Sequence, residues 1–258
     1  MIVKELADCG VLVVGGSSGI GLESARQLAR SGVPRIALMG RDAGRLERAG
    51  HAVTDVADVG VCLIQADAAD VASATRGAGQ ARDYLGSVDV LINSAAGGYA
   101  PELLHETAVE DIEPALRGQL LAPLLMTRLV LPWMYAQEGG SVISIASDAA
   151  KVATPGETVL GAAMAGIVTF TRAAALEAKR HGVRVNALTP SLVEGTRTTE
   201  LITGGGFSAR LFAAAARQAH LGVVQPADVA ELVVFLAGPG SQRVTGQAIS
   251  INGGISAA

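Results

Sequence analysis

Cysteine and aromatic residues are scarce in this chain, and positive charge is not concentrated anywhere along it. Only Cys9 and Cys62 are present, with neither the spacing of a metal site nor the density of a disulfide-stapled secreted domain. The formal net charge is −4 and the 20 basic residues are scattered, which argues against a site for nucleic acid or an anionic membrane. We therefore expect reduced thiols, a cytoplasmic protein, and neither nucleic acid nor a membrane as a partner.

Signals for secretion, membrane insertion and metal binding are also missing. The first residues contain no charged stretch that leads into an apolar one, and Arg128 interrupts the longest apolar stretch, Leu120 to Met134. The four histidines show no ligand spacing. We expect no signal peptide, no membrane span and no metal.

Half of the 258 residues are apolar, which is enough for one large core buried on both faces of a sheet. Short runs rich in β-branched residues alternate with longer segments of helical period, a pattern typical of a parallel sheet with crossover helices. This predicts an α/β fold over 1–258: a single doubly wound, Rossmann-type parallel sheet with helices on both faces. The predicted strands are Val11–Val14, Ile36–Met39, Val61–Gln65, Val88–Ile92, Val142–Ile145, Arg184–Leu188 and Ala248–Ile251. The predicted helices cover 20–31, 43–58, 70–85, 106–136, 158–180 and 226–237.

One segment, 194–222, breaks this alternation. It contains Thr203-Gly204-Gly205-Gly206 and then an alanine-rich helix with Phe207, Leu211 and Phe212. A glycine run beside an apolar helix near the carboxyl edge of the sheet indicates a mobile lid over a substrate. A flexible surface insertion is the alternative.

A glycine-rich turn follows the first strand. Strand Val11–Val14 leads into Gly15-Gly16-Ser17-Ser18-Gly19-Ile20-Gly21 and then into a helix. The glycines permit a tight turn and a close backbone approach, while the amino end of the helix offers free amides to a pyrophosphate. This arrangement predicts a dinucleotide site.

The turn resembles the TGxxxGxG motif of the short-chain dehydrogenase/reductase family, and further motifs of that family follow in the same order. They are Asp67 after the third strand, Asn93-Ser94-Ala95-Ala96-Gly97, Arg184-Val185-Asn186-Ala187 with Pro190, Val244-Thr245-Gly246-Gln247, and Asn252-Gly253-Gly254. Ser191 replaces the family's usual glycine. The resemblance implies cofactor contacts at Gly15, Ser17, Ser18, Gly19, Ile20, Gly21, Asp67, Ala68, Asn93, Ala95, Pro190, Val193 and Thr196.

The choice of cofactor depends on the loop after the second strand, Met39-Gly40-Arg41-Asp42. A carboxylate there would hold the ribose 2′-hydroxyl of NAD, whereas a basic side chain favours the 2′-phosphate of NADP. Arg41 matches the arginine of NADP-preferring members, and its planar guanidinium suits a phosphate. We therefore predict NADP. NAD stays open as an alternative, because the Asp42 carboxylate, one residue later, could hold the ribose hydroxyl, and because Arg41 could be a solvated loop residue.

The family's catalytic positions are the point at which the resemblance breaks down. Ser147 matches the catalytic serine, but the spacing places Leu160 at the tyrosine, Met164 at the lysine and Gln119 at the asparagine. All three tyrosines precede Ser147, so no alignment gap can supply the missing one. Because a neutral Met164 cannot lower a neighbouring pKa by its charge, we do not expect the family's tyrosine mechanism of carbonyl reduction.

Reduction of an α,β-unsaturated thioester depends less on the family's tyrosine and lysine. The carbonyl oxygen of such a thioester needs only hydrogen bonds while the oxygen carries enolate charge. Two short motifs resemble the family's enoyl- and dienoyl-thioester reductase branch: Asn93 to Gly98, and Pro190 to Thr196. Candidate catalytic residues are Ser147, Tyr99 and Gln119, together with Asp148 or Glu157 if burial raises their pKa. Each has a structural alternative: a pocket wall for Tyr99, a backbone cap for Gln119 and solvated charges for the two carboxylates.

These observations lead us to expect an NADPH-dependent reductase that acts on a small apolar substrate such as a thioester and forms a homodimer or homotetramer. A non-redox isomerase or cyclase on the same scaffold is a second hypothesis. The third is a catalytically silent subunit that binds dinucleotide and assembles with an active homologue.

Overall fold

Seven parallel strands form one sheet in this computed structural model, which describes residues 3–203 and 206–258. The strand order is β3-β2-β1-β4-β5-β6-β7. The strands are β1 Gly10–Val14, β2 Arg35–Gly40, β3 Gly60–Gln65, β4 Val90–Asn93, β5 Gly140–Ile145, β6 Val183–Pro190 and β7 Ala248–Ile251. The order reverses between β1 and β4, which confirms the doubly wound fold class.

Helices cover both faces of the sheet, because successive strand residues point to opposite sides. Val11 and Val13 pack in the core that α1, α2 and α9 cover, whereas Leu12 and Val14 pack beneath α3, α5 and α6. The helices are α1 Gly19–Arg30, α2 Ala43–Thr54, α3 Val71–Leu85, α4 Val109–Leu116, α5 Ala122–Ala136, α6 Thr158–Ala178, α7 Arg197–Thr203, α8 Gly206–Gln218 and α9 Pro226–Ala237.

The predicted long helix 106–136 is interrupted. It begins later, at Val109, and a π-helical turn, Arg117–Leu121, separates α4 from α5. Gly118 in this turn lies against Gly97: a side chain on Gly97 would meet the Gly118 backbone at 3.1 Å. The widened turn thus falls where the helix contacts the loop after β4, and π-helical turns are frequent at functional sites.

Helix α6 and the turn after it, Thr158–His181, are long and apolar enough to cross a membrane by length and composition alone. In this structure the helix packs against β6 and α5. Ala163, Ile167 and Ala174 on its inner side are buried. Its apolar residues therefore contribute to the core of the α/β fold.

Both cysteines are free. Burial raises the pKa of the Cys9 thiol to about 12, and the nearby Asp89 carboxylate adds to this effect. Burial also raises the pKa of Cys62. Because the thiolate is the nucleophile, raised pKa values make both thiols less reactive at neutral pH than an unperturbed cysteine.

Candidate functional site

A cleft of about 1160 Å³ opens at the carboxyl ends of the strands. Residues that follow each of the strands β1 to β6 line it, so it spans the point where the strand order reverses. This is the position at which open α/β sheets bind ligands.

The glycine-rich turn forms one end of the cleft. Gly15 has a φ of +81°, and a Cβ there would lie 2.5 Å from the Ala95 backbone nitrogen. A Cβ on Gly21 would lie 2.4 Å from the Gly15 carbonyl oxygen, so the turn and helix α1 pack backbone to backbone. The Ser18 side chain does not cap α1, and no acidic residue lies in its first turn. The first amides of α1 thus remain available to an anion such as a pyrophosphate.

Arg41 and Asp42 have different surroundings after β2. The Asp42 carboxylate caps helix α2, since its Oδ1 accepts a hydrogen bond from the Arg45 backbone nitrogen at 2.9 Å. Its Oδ2 lies 3.3 Å from Arg45 Nε. Arg41 and Arg45 both line the cleft, and within the described part of the chain the Arg41 side chain forms no ion pair. The carboxylate is engaged by the helix, whereas Arg41 is available to a phosphate.

Most of the other predicted cofactor residues do line the cleft; they are Ser17, Gly19, Ile20, Asp67, Ala68, Ala95, Pro190, Val193 and Thr196. The Asp67 carboxylate accepts a hydrogen bond from the Ala69 backbone at 2.9 Å. Thr196 Oγ1 donates to the Val193 carbonyl at 3.1 Å, which holds the loop after β6 beside the glycine turn.

Two residues in the cofactor prediction do not line the cleft. Gly21 lies behind the turn, against Gly15. Asn93 is buried, and its Nδ2 donates to Thr127 Oγ1 at 3.2 Å and to Ser144 Oγ at 3.4 Å. The alternation of strand β4 directs this side chain into the core, where it links β4 to α5 and β5. Asn93 therefore supports the cleft from beneath. Its buried position favours this structural role over a direct contact with the cofactor.

Ser147, Leu160 and Met164 lie in the same cleft, beyond the glycine turn. Ser147 follows β5, and its Oγ accepts a hydrogen bond from the Ala149 backbone at 3.3 Å. Leu160 and Met164 come from the first turns of α6 and pack with Ala146 in a small apolar cluster. This wall thus offers one hydroxyl and otherwise apolar surface.

Tyr99 and Gln119, the other predicted catalytic residues, also line the cleft. The Tyr99 hydroxyl is buried and has no hydrogen-bond partner among the described residues. Gln119 is buried in the π-helical turn, and its Nε2 donates to the Gly97 carbonyl at 3.1 Å. Gln119 holds the loop after β4, which is the structural alternative considered for it.

Two carboxyl groups complete the wall beside Ser147. Asp148 is buried; its Oδ2 accepts a hydrogen bond from Asn252 Nδ2 at 3.3 Å, and its Oδ1 has no partner among the described residues. Glu157, just before α6, is half-buried. Burial raises its pKa, a hydrogen bond with Thr154 opposes this, and the Asp148 charge raises it further.

Helices α7 and α8 cover one side of the cleft, and we call residues 197–203 and 206–218 the lid. Leu201 of α7 and Leu211 and Phe212 of α8 line the cleft. Phe207 lies against Gly156: a Cβ on that glycine would be 2.2 Å from Phe207 Cε1. Gly204 and Gly205 of the predicted glycine run lie outside the described residues.

The sequence prediction missed Arg45, Ile255 and Ser256, which also line the cleft. Arg45 had a local signal, because an aspartate three residues earlier is a typical helix cap. Ile255 and Ser256 had none, since their position depends on how the segment after β7 folds back beside Asp148.

Residues 14–256 match the family described as enoyl-(acyl carrier protein) reductase. Over 252 residues the chain is 30% identical to the 2-(R)-hydroxypropyl-CoM dehydrogenase of Xanthobacter autotrophicus. This alignment covers 95% of this chain and 98% of that relative. It is 31% identical over 247 residues to the 3-oxoacyl-[acyl-carrier-protein] reductase FabG of Staphylococcus aureus, covering 95% and 96% of the two chains.

Solved structures agree with these relatives. Levodione reductase superimposes with a TM-score of 0.89 at 25% identity, over 96% of this chain and 97% of that one. The citronellol catabolism dehydrogenase of Pseudomonas aeruginosa gives a TM-score of 0.81 at 26% identity, over 99% of both chains. The cleft at the strand ends, the sheet order and these relatives all agree: the chain belongs to the short-chain dehydrogenase/reductase family.

Proposed function

We propose that this protein is an NADPH-dependent oxidoreductase that reduces the activated double bond of an α,β-unsaturated thioester without the family's tyrosine and lysine. The observation that carries the proposal is one continuous cleft. At one end it has the glycine turn and Arg41; at the other it has Ser147 beside Leu160 and Met164. The cofactor half is intact, whereas the half for proton transfer is altered.

The residues at the cofactor end fit a nicotinamide dinucleotide phosphate. The close contact between Gly15 and Ala95 holds the turn against the loop after β4, and the uncapped amino end of α1 would supply amides to a pyrophosphate. Arg41 would bind the 2′-phosphate, with Arg45 as a second cation. When bound, such a cofactor supplies a hydride.

The altered wall favours an alkene over a ketone. A ketone requires a proton donor at its oxygen, and the tyrosine position carries Leu160, while Met164 brings no charge. An enoyl thioester takes its hydride at Cβ and its proton at Cα, so its oxygen needs only hydrogen bonds, for which Ser147 and Tyr99 are the candidate donors.

Two features support a thioester with an apolar acyl group. The matching family description and the name of the Staphylococcus aureus relative both refer to acyl carrier protein. The first name specifies an enoyl group on that carrier, and the second specifies a 3-oxoacyl group. In addition, Leu201, Leu211 and Phe212 give the lid side of the cleft an apolar surface, which suits an acyl chain. We propose that the lid closes over the acyl chain of the substrate.

The test begins with calorimetric titration of the nucleotide-stripped protein by NADPH and then by NADH. We expect tighter binding of NADPH, and Arg41→Ala should weaken NADPH binding about 10- to 100-fold while leaving NADH unchanged, since a hydrogen bond to a charged group contributes about 1.5–3 kcal/mol. Arg76→Ala, on α3 away from the cleft, is the matched control. Equal affinities for the two cofactors would remove the NADP assignment.

Turnover then separates the substrate classes. NADPH oxidation with crotonyl thioester, and none with the 3-oxobutyryl thioester, is the expected result. Reduction of the 3-oxo substrate alone would contradict the alkene proposal. Binding of cofactor without any turnover would favour the non-redox or silent-subunit hypothesis.

We also propose that copies of the chain associate as a homodimer or homotetramer. Leu176 on α6 is 64% exposed and Val109 on α4 is 78% exposed, so apolar surface remains on helices that flank the sheet. Light scattering of the purified protein tests this, and a monomer at micromolar concentration would contradict it.

A further inference from the structure

Glu157 lies on the cleft side of α6, on the same stripe as the two replaced positions. It precedes the helix, and Leu160 and Met164 follow at three and seven residues, the spacing at which helical side chains share a face. All three line the cleft, and Ser147 lines the adjoining wall. Glu157 thus places a carboxyl group one helical turn from the tyrosine position.

The loop that carries Glu157 is enclosed by two other segments. The Gly156 carbonyl accepts a hydrogen bond from the Glu102 backbone at 3.0 Å, which ties it to the loop that contains Tyr99. Phe207 of the lid covers Gly156 from the other side. Glu157, which is half-buried, therefore adjoins the parts of the molecule that would surround a substrate.

The charged groups near Glu157 leave its carboxyl without a cationic partner in the described part of the chain. Asp148, from the segment after β5, is an acid held by Asn252. Lys151, from the same segment, donates instead to the Ala258 carbonyl at 2.7 Å and to the Ser250 hydroxyl. The loop after β4 brings an acidic residue, Glu102, to the adjoining Gly156 carbonyl, and the lid brings the uncharged Phe207.

We propose that the Glu157 carboxyl is the proton donor of this site and takes the place of the absent tyrosine. This inference rests on the proposed function. In the balanced step, two electrons reach the substrate Cβ as hydride, the double-bond pair moves toward the thioester carbonyl, and the Glu157 O–H bond breaks to place its proton at Cα. The Glu157 carboxylate then regains a proton from solvent, so one hydride and one proton are consumed for each alkene reduced.

The environment of Glu157 keeps the donor form present at higher pH than an exposed glutamate would allow. Burial raises its pKa, and the Asp148 charge acts in the same direction, against the hydrogen bond with Thr154. The folded protein therefore binds more protons at this site than the unfolded chain between the two pKa values. Its stability falls as pH rises through that window, and the loss is complete above the folded pKa.

Thermal unfolding tests this without any substrate. Glu157→Gln should match the wild type near pH 4 and unfold roughly 2–4 °C higher at pH 8, because the variant no longer buries a charge. Glu231→Gln, at an exposed position on α9, should leave the pH dependence unchanged. Coincident pH profiles for the wild type and Glu157→Gln would overturn the inference, whatever the turnover measurements give.

Turnover provides the second test. With an enoyl thioester, Glu157→Gln should lower kcat about 10²- to 10⁴-fold, the usual contribution of a general acid, while the Kd for NADPH stays unchanged. Glu157→Asp should recover part of the rate, and the decline of kcat at high pH should be absent in Glu157→Gln. Full turnover by Glu157→Gln would overturn the donor role and leave the proposed function standing. An inactive wild type would instead overturn the proposed function.

Discussion

At the scale of the residue, the loop after β2 shows how two neighbouring charges acquire different roles. Asp42 is the carboxylate that could have held a ribose hydroxyl, yet it caps helix α2 and contacts Arg45. Arg41 points to no carboxylate within the described residues and lines the cleft. Adjacent positions in the sequence therefore have separate surroundings: Asp42 stabilises α2, and Arg41 is the residue that we propose binds the 2′-phosphate of NADPH.

This separation gives a prediction for Asp42. Asp42→Ala should lower the free energy of unfolding by about 1 kcal/mol, because α2 loses its cap, while the Kd for NADH stays the same. Asp42→Asn retains a capping oxygen and should restore most of the stability. Urea unfolding and calorimetric titration measure the two effects. A weaker NADH complex in both variants would show that the carboxylate contacts the ribose.

At this scale, the sequence predicted which residues lie near the cleft better than it predicted the direction of their side chains. Gly15 and Arg41 were predictable because each lies directly after a strand, where chain position determines location. Asn93 also follows that rule, but the alternation of β4 turns its side chain into the core. The surroundings of Glu157 depend on how the lid and the loop after β4 meet at the neighbouring Gly156, which no local pattern records.

At the scale of the element, the lid and the turn before α6 are coupled through a single contact. Gly156 has a φ of +86°, and Phe207 occupies the space in which a side chain on that glycine would lie. The position of α8 thus depends on the absence of a Cβ at Gly156. Glu157 is the next residue along the chain, so this contact lies directly beside the proposed proton donor.

A double-mutant cycle measures this coupling. Gly156→Ala should destabilise the protein through both the contact and the backbone, whereas in Gly156→Ala with Phe207→Ala only the backbone strain of about 1–3 kcal/mol remains. We expect a coupling of about 0.5–3 kcal/mol in urea unfolding. Gly195→Ala, with a φ of +69° and open space around it, isolates the cost of the backbone alone. Additive effects of the two substitutions would show that Phe207 does not rest on Gly156.

The helix before β5 shows what an apolar pattern cannot specify. Apolar spacing predicted a continuous helix over 106–136, and the π-helical turn Arg117–Leu121 was not foreseen. One additional residue in a single turn barely changes the spacing of the apolar residues, so this spacing does not reveal a π-helical turn. The cause is tertiary: Gly118 meets the backbone of Gly97 from a different part of the chain.

At the scale of the whole molecule, the cleft joins the two halves of the sheet. The glycine turn and Arg41 belong to the half that contains β1, β2 and β3, whereas Ser147 and Thr196 belong to the half that contains β4, β5 and β6. A dinucleotide bound along the cleft would contact both halves. The sequence predicted this architecture well because alternating buried strands and amphipathic helices admit few other arrangements.

Ligand binding should therefore stabilise the entire fold. NADPH at 100 times its Kd should add about 2.7 kcal/mol to the free energy of unfolding, which corresponds to a rise in Tm of roughly 5–11 °C. NADH at the same concentration should give a smaller rise, because Arg41 would have no phosphate to bind. Differential scanning calorimetry measures both values. An unchanged Tm with either nucleotide would mean that the folded protein binds neither.

The raised pKa values of Cys9 and Cys62 make this chain convenient for spectroscopy. Because burial raises the pKa of both, a maleimide dye at neutral pH would react far faster with an exposed cysteine introduced on α8 than with either native one. The native pair could stay in place, and the core around Cys9 would not have to be repacked. A single fluorophore on the lid would then report opening and closing of the cleft in real time, even before any substrate is known.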